Sequence, residues 1–564
     1  MTFPQQNVPR HCLETDVLVL GGGNAGTMAA LAARRKGVEV ALVDKANINR
    51  SGCSAAGIDH FCAILDEGPA WDTRAAFLGW YNQLTQGLID IDIPDYAFLS
   101  RIKRLVQYLE SLGINMRLGK NNTYLRTRSF MQPGEYYINF DGRDLKPLTS
   151  QAAEKAGAKF FKQIAIVDLL KSDGRVVGAV GFHIRTGEHF VFRAKATIVA
   201  TGNVGRLYNN QANMPFNAWH SPFNNGGAQA WAFRAGAELK NMEFVNYSLT
   251  PVNFGASGFN AIVGMGGYIV NAMGERFLFK YHELGEKGPR WIMPLGVYEE
   301  MKAFRGPCYF DIRHLPEDDY QHLITRLLPV DKNTFLDYCE QKGVDLRRDL
   351  LEIQITEGGL PAFMGSVTGV WVDRRCATSV PGLYAAGGCA AAISSLAGAV
   401  TTGDTAGEEA AADVLAGKLA GAVDEAQLDE RRELIYAPAG RQSGYPYAEL
   451  EDKLRQVMTL YVGIGRNANG LRNAQKELEK LARCFAGARA ENGHDLMRLF
   501  EVRDLILVGQ AITRAALARE ETRFGIAHYR GDFSQTRPEW HCSLHQQLAG
   551  DKVTFKKIAP SKFN

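Results

Sequence analysis

Residues 16–26 read DVLVLGGGNAG, an apolar strand that runs without a break into a glycine-rich turn. Gly21, Gly23 and Gly26 satisfy the GxGxxG pattern, in which the glycines form a tight turn, admit a pyrophosphate close to the backbone and let helix and strand pack. The helix predicted over residues 27–36 would offer its free N–H groups to the phosphates. The stretch therefore predicts a βαβ dinucleotide-binding unit.

An acidic residue follows the next strand. Residues 38–43 form a second apolar segment that ends at Asp44, about twenty residues beyond the glycines, where an acid is expected to bind the ribose hydroxyls of an adenosine. The glycine pattern alone often arises by chance. Its position between two apolar strands, with the acid in place, favours a binding site over a simple glycine turn.

Two later segments indicate that the dinucleotide is FAD. Residues 196–202 (ATIVATG) form an apolar strand, and residues 382–388 (GLYAAGG) form another that leads into a helix near residues 401–415. A chain that returns three times to one such sheet is typical of large FAD enzymes, whose late strand carries the flavin edge. We therefore expect an α/β fold with a Rossmann-type FAD-binding domain.

Composition narrows the classes of partner. The chain has 564 residues and a formal net charge of +3, so it is too long for one core and carries no basic field for nucleic acid. Residues 1–16 contain no apolar run like that of a signal peptide, and the small-residue stretch 385–400 is too short to span a bilayer. These features predict a cytoplasmic enzyme with a small-molecule substrate, no nucleic-acid partner and no membrane span.

The nine cysteines are scattered and form no CxxC pair. They therefore offer no metal site, no iron–sulfur cluster and no haem attachment within this chain. If electrons pass through an iron–sulfur relay, that relay belongs to another protein.

Four further stretches resemble one family over nearly the whole chain: residues 44–52 (DKANINRSG), 235–244 (AGAELKNMEF), 266–277 (GGYIVNAMGERF) and 521–533 (ETRFGIAHYRGDF). They are similar to the flavoprotein subunits of fumarate reductase, succinate dehydrogenase and adenylylsulfate reductase. The resemblance is greatest to the adenylylsulfate reductase α subunit, through residues 50–52 and 182–187 and through Trp219. It implies a ferredoxin-like iron–sulfur subunit as electron partner.

The resemblance also implies how the chain is divided and how the cofactor is held. It predicts an FAD-binding domain over residues 1–240 and 365–425, an inserted α+β capping domain over 241–364, and a helical C-terminal domain over 440–564. Covalent members carry a histidine just after the Arg-Ser pair, whereas this chain has Gly52 and Cys53 there. FAD should therefore be bound non-covalently.

The motifs and the resemblance together predict a set of FAD-binding residues at the strand ends and glycine turns. They are Gly21, Gly23, Asn24, Ala25, Gly26, Asp44, Lys45, Ser51, Gly52, Ala56, Gly57, Ala200, Thr201, Gly202, Gly387, Gly388 and Thr401.

Few side chains are candidates for catalysis. His60, with Asp59 beside it to orient the ring, could transfer a proton, although a buried structural histidine is an equally good interpretation. Arg290 falls where the resembling fumarate reductases carry a proton-donating arginine, but it could also be a surface loop residue. The resemblance places Trp219 and His220 over the flavin, where the tryptophan would stack on a planar substrate or simply close a domain seam.

The substrate ligands of the resembling enzymes are missing. Fumarate enzymes bind two carboxylates through charged and polar groups, and the corresponding positions here are Asn260, Val263, Met265, Phe363 and Ala399. Burying a dicarboxylate among such groups would leave its charges unpaired, at a cost of several kcal/mol per ion. The ligands expected for adenylylsulfate are likewise replaced, by Cys62, Val252 and Val367.

Three functions are compatible with these observations. The first is an FAD-dependent oxidoreductase that acts on a small, weakly charged substrate and exchanges electrons with a separate iron–sulfur protein. The second is an adenylylsulfate or sulfite enzyme with an altered site. The third is a non-catalytic electron-transfer flavoprotein subunit.

Overall fold

The structure is a computed structural model that describes residues 8–55, 57–128, 131–214, 221–255, 259–332, 334–360, 367–393, 395–417, 423–550 and 552–561. Residues 260, 330 and 331 are described by their backbone alone. Within these ranges, no helix has the length and apolar character that crossing a membrane requires.

The first part of the chain contains strands of a mixed sheet, helices packed against it and a separate three-stranded sheet. Its elements are β1 (Arg10–Leu20), α1 (Asn24–Arg35), β2 (Val40–Asp44), β3 (His60–Cys62), α2 (Arg74–Leu84), α3 (Ile102–Ser111), β4 (Leu125–Thr127), β5 (Tyr137–Asn139), α4 (Leu145–Lys155), β6 (Lys159–Lys162), β7 (Ile164–Ser172), β8 (Arg175–His183), β9 (His189–Val199) and α5 (Gly227–Ala235).

An inserted segment follows and forms a further antiparallel sheet with short helices. It contains β10 (Leu239–Lys240), β11 (Leu249–Pro251), α6 (Asn260–Gly264), β12 (Tyr268–Val270), α7 (Ile292–Lys302), β13 (Cys308–Asp311), α8 (Glu317–His322), α9 (Leu328–Asp331), α10 (Phe335–Lys342) and β14 (Leu351–Ile355). Strands β11, β14, β13 and β12 pair in that order, inside the segment predicted to cap the site.

The chain then returns to the first sheet and ends in a helical bundle with a hairpin. These elements are β15 (Gly369–Val370), β16 (Leu383–Ala385), α11 (Leu396–Leu415), α12 (Glu425–Tyr436), α13 (Tyr447–Val462), α14 (Ala468–Phe485), α15 (Gly493–Ala518), β17 (Ser543–Ala549) and β18 (Lys552–Ile558).

The main sheet has the order β6-β2-β1-β9-β8-β7, and β16 also pairs with β9. The pairing is parallel along β6, β2, β1, β9 and β16, and Leu20 lies opposite both Val43 and Val199. Val199 is in turn opposite Ala385. The carboxyl ends of these five parallel strands therefore meet at one edge, where open α/β sheets bind their ligands.

The predicted strands and helices of the FAD-binding part occur in the structure with shifted ends, and the C-terminus contains strands that were not predicted. Helices α13 and α14 lie in the region predicted to be helical, whereas the hairpin of β17 and β18 differs from the all-helical expectation. Strand β17 pairs with β10, so the end of the chain joins the sheet that also contains β15. The C-terminal region is thus anchored to the earlier part of the molecule by backbone hydrogen bonds.

Candidate functional site

A cavity of about 1160 Å³ opens at the edge where the parallel strands end. The glycine turn after β1, the end of β2, and the segment after β9 all line it. The apolar β-strands and alanine-rich α1 pack tightly behind these turns, so the binding groups are fixed by a rigid layer. The cavity is long enough to pass from the glycine turn to the inserted segment.

The three glycines of the turn have different local surroundings. Gly21 has φ +109°, and a Cβ there would lie 2.5 Å from the carbonyl oxygen of Ala200. A Cβ on Gly26 would lie 1.8 Å from the carbonyl oxygen of Gly21. A Cβ on Gly23 would meet only the Cα of Gly52, at 3.8 Å, and Gly23 lines the cavity. Gly21 and Gly26 are thus required by packing, whereas Gly23 keeps space open for a ligand.

Asp44 is held in place by the backbone around it. Its Oδ2 accepts a hydrogen bond from the N–H of Gly22 at 2.5 Å, and its Oδ1 accepts one from Ala46 at 2.6 Å. A carboxylate oxygen can accept more than one hydrogen bond. The oriented Asp44 therefore fits the ribose hydroxyls of an adenosine, as the sequence predicts.

The segment after β2 approaches the glycine turn from the other side. Gly52 has φ +89° and lies against Gly23, while Asn24 donates to the hydroxyl of Ser54. At the far end, Ser395 caps α11 by accepting a hydrogen bond from the N–H of Gly398 at 3.0 Å. The cavity thus continues from the glycine turn to the N-terminus of α11.

Most of the predicted cofactor residues line this cavity. They are Gly21, Gly23, Asn24, Ala25, Asp44, Lys45, Ser51, Gly52, Gly57, Ala200, Thr201, Gly202 and Gly388.

Three predicted cofactor residues lie just behind the cavity lining. Gly26 packs against Gly21, Gly387 donates its N–H to Thr402, and Thr401 is buried inside α11. The structure gives them packing roles that support the lining. Ala56, predicted to contact FAD, lies outside the described residues.

His60 and Asp59 form a pair beside the cavity. The Nδ1 of His60 lies 2.5 Å from Oδ1 of Asp59, and His60 lines the cavity. Burial by itself raises the pKa of Asp59, but the positive charge and hydrogen bond of His60 outweigh that effect and lower it to about 2. The carboxylate is therefore charged at neutral pH and can fix the orientation of the imidazole.

Arg290 also lines the cavity and is buried, not a surface loop residue. Its Nη2 donates to the hydroxyl of Ser248 at 2.8 Å. Burial lowers the pKa of Arg290 to about 9, and the neighbouring Tyr137 opposes that shift. A guanidinium whose proton is easier to release suits a proton donor.

The inserted segment contributes a largely apolar wall. Val263, Met265 and Leu327 line the cavity, as does Ala399 from the start of α11. Glu286 also lines it, but its carboxylate already binds Arg276 at 2.8 Å. The other predicted substrate-site residue on this side, Phe363, lies outside the described residues, as does the side chain of Asn260.

The aromatic end of the cavity contains one residue that sequence reasoning missed, Tyr81. Tyr81 lines it, and its buried hydroxyl has no hydrogen-bond partner within the described part of the chain. Tyr137 also lines it and packs edge-on against His60, with ring centroids 4.9 Å apart. Tyr81 sits on an amphipathic helix among other aromatic rings, so in the sequence it resembles an ordinary core residue.

Two predicted catalytic residues cannot be placed, because Trp219 and His220 lie outside the described residues. Among the residues that are described, no group of three or more histidine, cysteine or acidic side chains could hold a metal ion.

Comparison with known proteins covers almost the entire chain. The family described as FAD binding domain matches residues 16–403, and the one described as fumarate reductase flavoprotein C-term matches residues 451–561. An uncharacterised FAD-dependent oxidoreductase of Methanocaldococcus jannaschii is 29% identical, covering 98% of this chain and 99% of that protein. A subunit of the fumarate reductase (CoM/CoB) of Methanothermobacter marburgensis is 28% identical, covering 94% and 96%.

Solved structures share the fold. Adenylylsulfate reductase of Archaeoglobus fulgidus superposes with a TM-score of 0.91 at 23% identity, covering 100% of this chain and 98% of that chain. Quinol fumarate reductase of E. coli gives a TM-score of 0.82 at 23% identity, covering 98% and 99%. The predicted family, α/β fold class and FAD cofactor are confirmed. The chain therefore belongs to the family of FAD-dependent oxidoreductases that contains the flavoprotein subunits of fumarate reductase and adenylylsulfate reductase.

Proposed function

We propose that this protein transfers a hydride between FAD and a small, weakly charged substrate, and exchanges electrons with a separate iron–sulfur protein. The observation that carries the proposal is the composition of the cavity. His60, Asp59 and Arg290 meet a wall of apolar side chains in the same cavity that the FAD motifs line. This arrangement supports proton transfer next to a flavin, without charged groups dedicated to two carboxylates.

The chain's own residues would bind the substrate, orient it and exchange a proton with it. FAD supplies the hydride chemistry when it is bound. Asp59 would accept the Nδ1 proton of His60 and orient the ring, and Nε2 would exchange a proton with the substrate. One proton balances the hydride, and Arg290, held by Ser248, would relay that proton to or from His60. The apolar cap residues would exclude water from the reacting atoms.

The charge that a substrate can carry depends on which groups of the cavity lining could pair with it. Val263, Met265 and Ala399 offer no hydrogen bonds from their side chains, and Arg126 is already bound to Asp72 at 3.2 Å. Arg290 could pair with one carboxylate. Of the other cations in the lining, Arg128 donates to the carbonyl oxygen of Gln132, and Lys287 lies near Arg290 in the chain. A second carboxylate placed against Val263, Met265 and Ala399 would face apolar groups. Because an unpaired buried charge costs several kcal/mol, a neutral or singly charged compound is the better ligand.

The electron partner is proposed from the relatives. Several are named as subunits of larger enzymes, among them the fumarate reductase proteins of Methanothermobacter marburgensis and Mycobacterium tuberculosis. We infer that this chain also works with a second protein, of the ferredoxin-like iron–sulfur type, and that both are cytoplasmic. Co-purification of such a protein with the native enzyme would identify it.

A matched pair of electron acceptors tests the substrate proposal. Flavin reduced under anaerobic conditions should be reoxidised faster by dimethyl fumarate than by fumarate, because the ester has the same double bond without the charges. Benzylideneacetone adds an aromatic ring for the apolar wall and should also exceed fumarate. Faster reoxidation by fumarate than by both neutral compounds would contradict the proposal.

FAD should be released intact when the protein is denatured. The position after Ser51 carries Gly52 and Cys53, and neither offers the histidine nitrogen that bonds the flavin in covalent members of the family. Precipitation with acid followed by flavin fluorescence of the supernatant measures the release. Flavin that stays with the polypeptide on a denaturing gel would show that a covalent bond exists.

A further inference from the structure

Helix α15 presents one face to the cavity although it lies far beyond the FAD motifs in the chain. Met497, Phe500, Glu501 and Asp504 all line the cavity. They occupy positions i, i+3, i+4 and i+7, which fall on one side of a helix. The match to the FAD-binding family ends at residue 403, so this wall comes from the C-terminal bundle.

The face of α15 lies at the adenosine end of the cavity. Lys45, directly after the ribose-binding position Asp44, lines the same region. Met497 and Phe500 are only 5% and 3% exposed and belong to one apolar cluster with Ala165 of β7. An apolar slot between a strand and a helix, beside the ribose position, fits a flat base.

Ion pairs connect this slot to the bundle. Nζ of Lys45 lies 2.6 Å from Oε1 of Glu501, and Nη1 of Arg206 lies 2.7 Å from Oε2 of the same carboxylate. Arg206 also binds Glu451 of α13 at 3.0 Å. Burial by itself raises the pKa of Glu501, but Lys45 and Arg206 lower it to about 2. The Glu501 carboxylate is therefore charged at neutral pH.

A second link runs through α5. The indole Nε1 of Trp231 donates to Oδ2 of Asp504 at 2.9 Å, and Trp231 also lines the cavity. Asp504 further pairs with Arg234 at 2.9 Å. The bundle is therefore attached to the FAD domain at the residues that surround the adenosine end, not only at a distant interface.

We propose that the adenosine half of FAD binds between β7 and α15, and that cofactor binding and docking of the C-terminal bundle form one coupled equilibrium. A ligand that contacts both sides of an interface stabilises the docked state, and docking strengthens ligand binding by the same factor. The flavin half of the cofactor would be bound by residues near α11 and the inserted segment. It should contribute little to this coupling.

ADP and FMN, which correspond to the two halves of FAD, show which half of the cofactor is coupled to docking of the bundle. Full-length protein stripped of FAD is incubated with ADP, with FMN or with FAD, and amide hydrogen exchange is followed in α14. This helix packs on α15, but none of its described residues lines the cavity. ADP and FAD should slow exchange in α14 at least tenfold, whereas FMN should leave it unchanged.

A substitution that fills the slot provides the matching test. Met497→Trp should weaken ADP and FAD binding at least tenfold and leave FMN binding unchanged, as measured by calorimetry. Leu460→Trp introduces the same side chain on the exposed surface of α13, where Leu460 is 73% exposed, and should change neither. The proposal is overturned if ADP fails to bind or to protect α14, if FMN protects it equally, or if ADP binds equally well to the Met497→Trp variant.

Discussion

Replacement of Gly23 by valine should abolish FAD binding while the protein stays folded. The φ of Gly23 is −66°, which valine tolerates, and a Cβ there meets only the Cα of Gly52 at 3.8 Å. The added methyl groups would instead occupy the cavity where the pyrophosphate approaches the backbone. Overpacking costs about 1–3 kcal/mol and a lost charged hydrogen bond about 1.5–3, so affinity should fall about a hundredfold or more.

Two other glycine substitutions serve as controls that distinguish loss of FAD binding from loss of stability. Gly440→Val, at a position with open space around it, should retain the full flavin spectrum. Gly26→Ala should instead lower the melting temperature, because its Cβ would lie 1.8 Å from the carbonyl oxygen of Gly21. A Gly23→Val protein that purifies with a full complement of FAD would mean that the pyrophosphate binds elsewhere.

Substitution of either proton carrier should slow turnover by about a hundredfold or more, the range expected for losing a general acid or base. His60→Asn removes the imidazole that Asp59 orients, and Arg290→Met removes the buried guanidinium. The flavin should stay bound, because the phosphate turn and the ribose-binding carboxylate are untouched. Steady-state turnover with the best neutral acceptor, alongside the flavin absorbance of each variant, measures both effects.

Exposed residues of the same types serve as controls. Arg143 pairs with Asp141 at the surface, and the side chain of His494 is 60% exposed. Arg143→Met and His494→Asn should leave turnover unchanged. Normal turnover in both His60→Asn and Arg290→Met would exclude these residues as the proton carriers.

Local sequence was sufficient to predict which residues line the cavity around the glycine turn. The turn after β1 needs glycines at fixed spacing, and Asp44 must end the next strand, so these residues reveal their environment without any distant contact. The start of α1 differs from the prediction by three residues: the helix begins at Asn24, whose side chain bonds Ser54. The conformation of this end of the site therefore depends mainly on residues that are close together in the sequence.

Long-range contacts could not be predicted in the same way. Strand β17 pairs with β10, some 300 residues earlier in the chain, and no periodicity in either segment specifies that partner. Tyr81 and Met497 face the cavity from helices whose patterns also fit ordinary buried cores. Their roles depend on how separate domains pack together.

Fumarate turnover tests the central claim most directly, because the claim is that this cavity does not hold a dicarboxylate. The purified protein, loaded with FAD, is assayed under anaerobic conditions with a reduced viologen dye and fumarate, with a known fumarate reductase as positive control. We expect no oxidation of the dye above the rate without enzyme, and no reduction of the flavin by succinate. Sustained fumarate reduction at a rate comparable to that of the control enzyme would contradict the account.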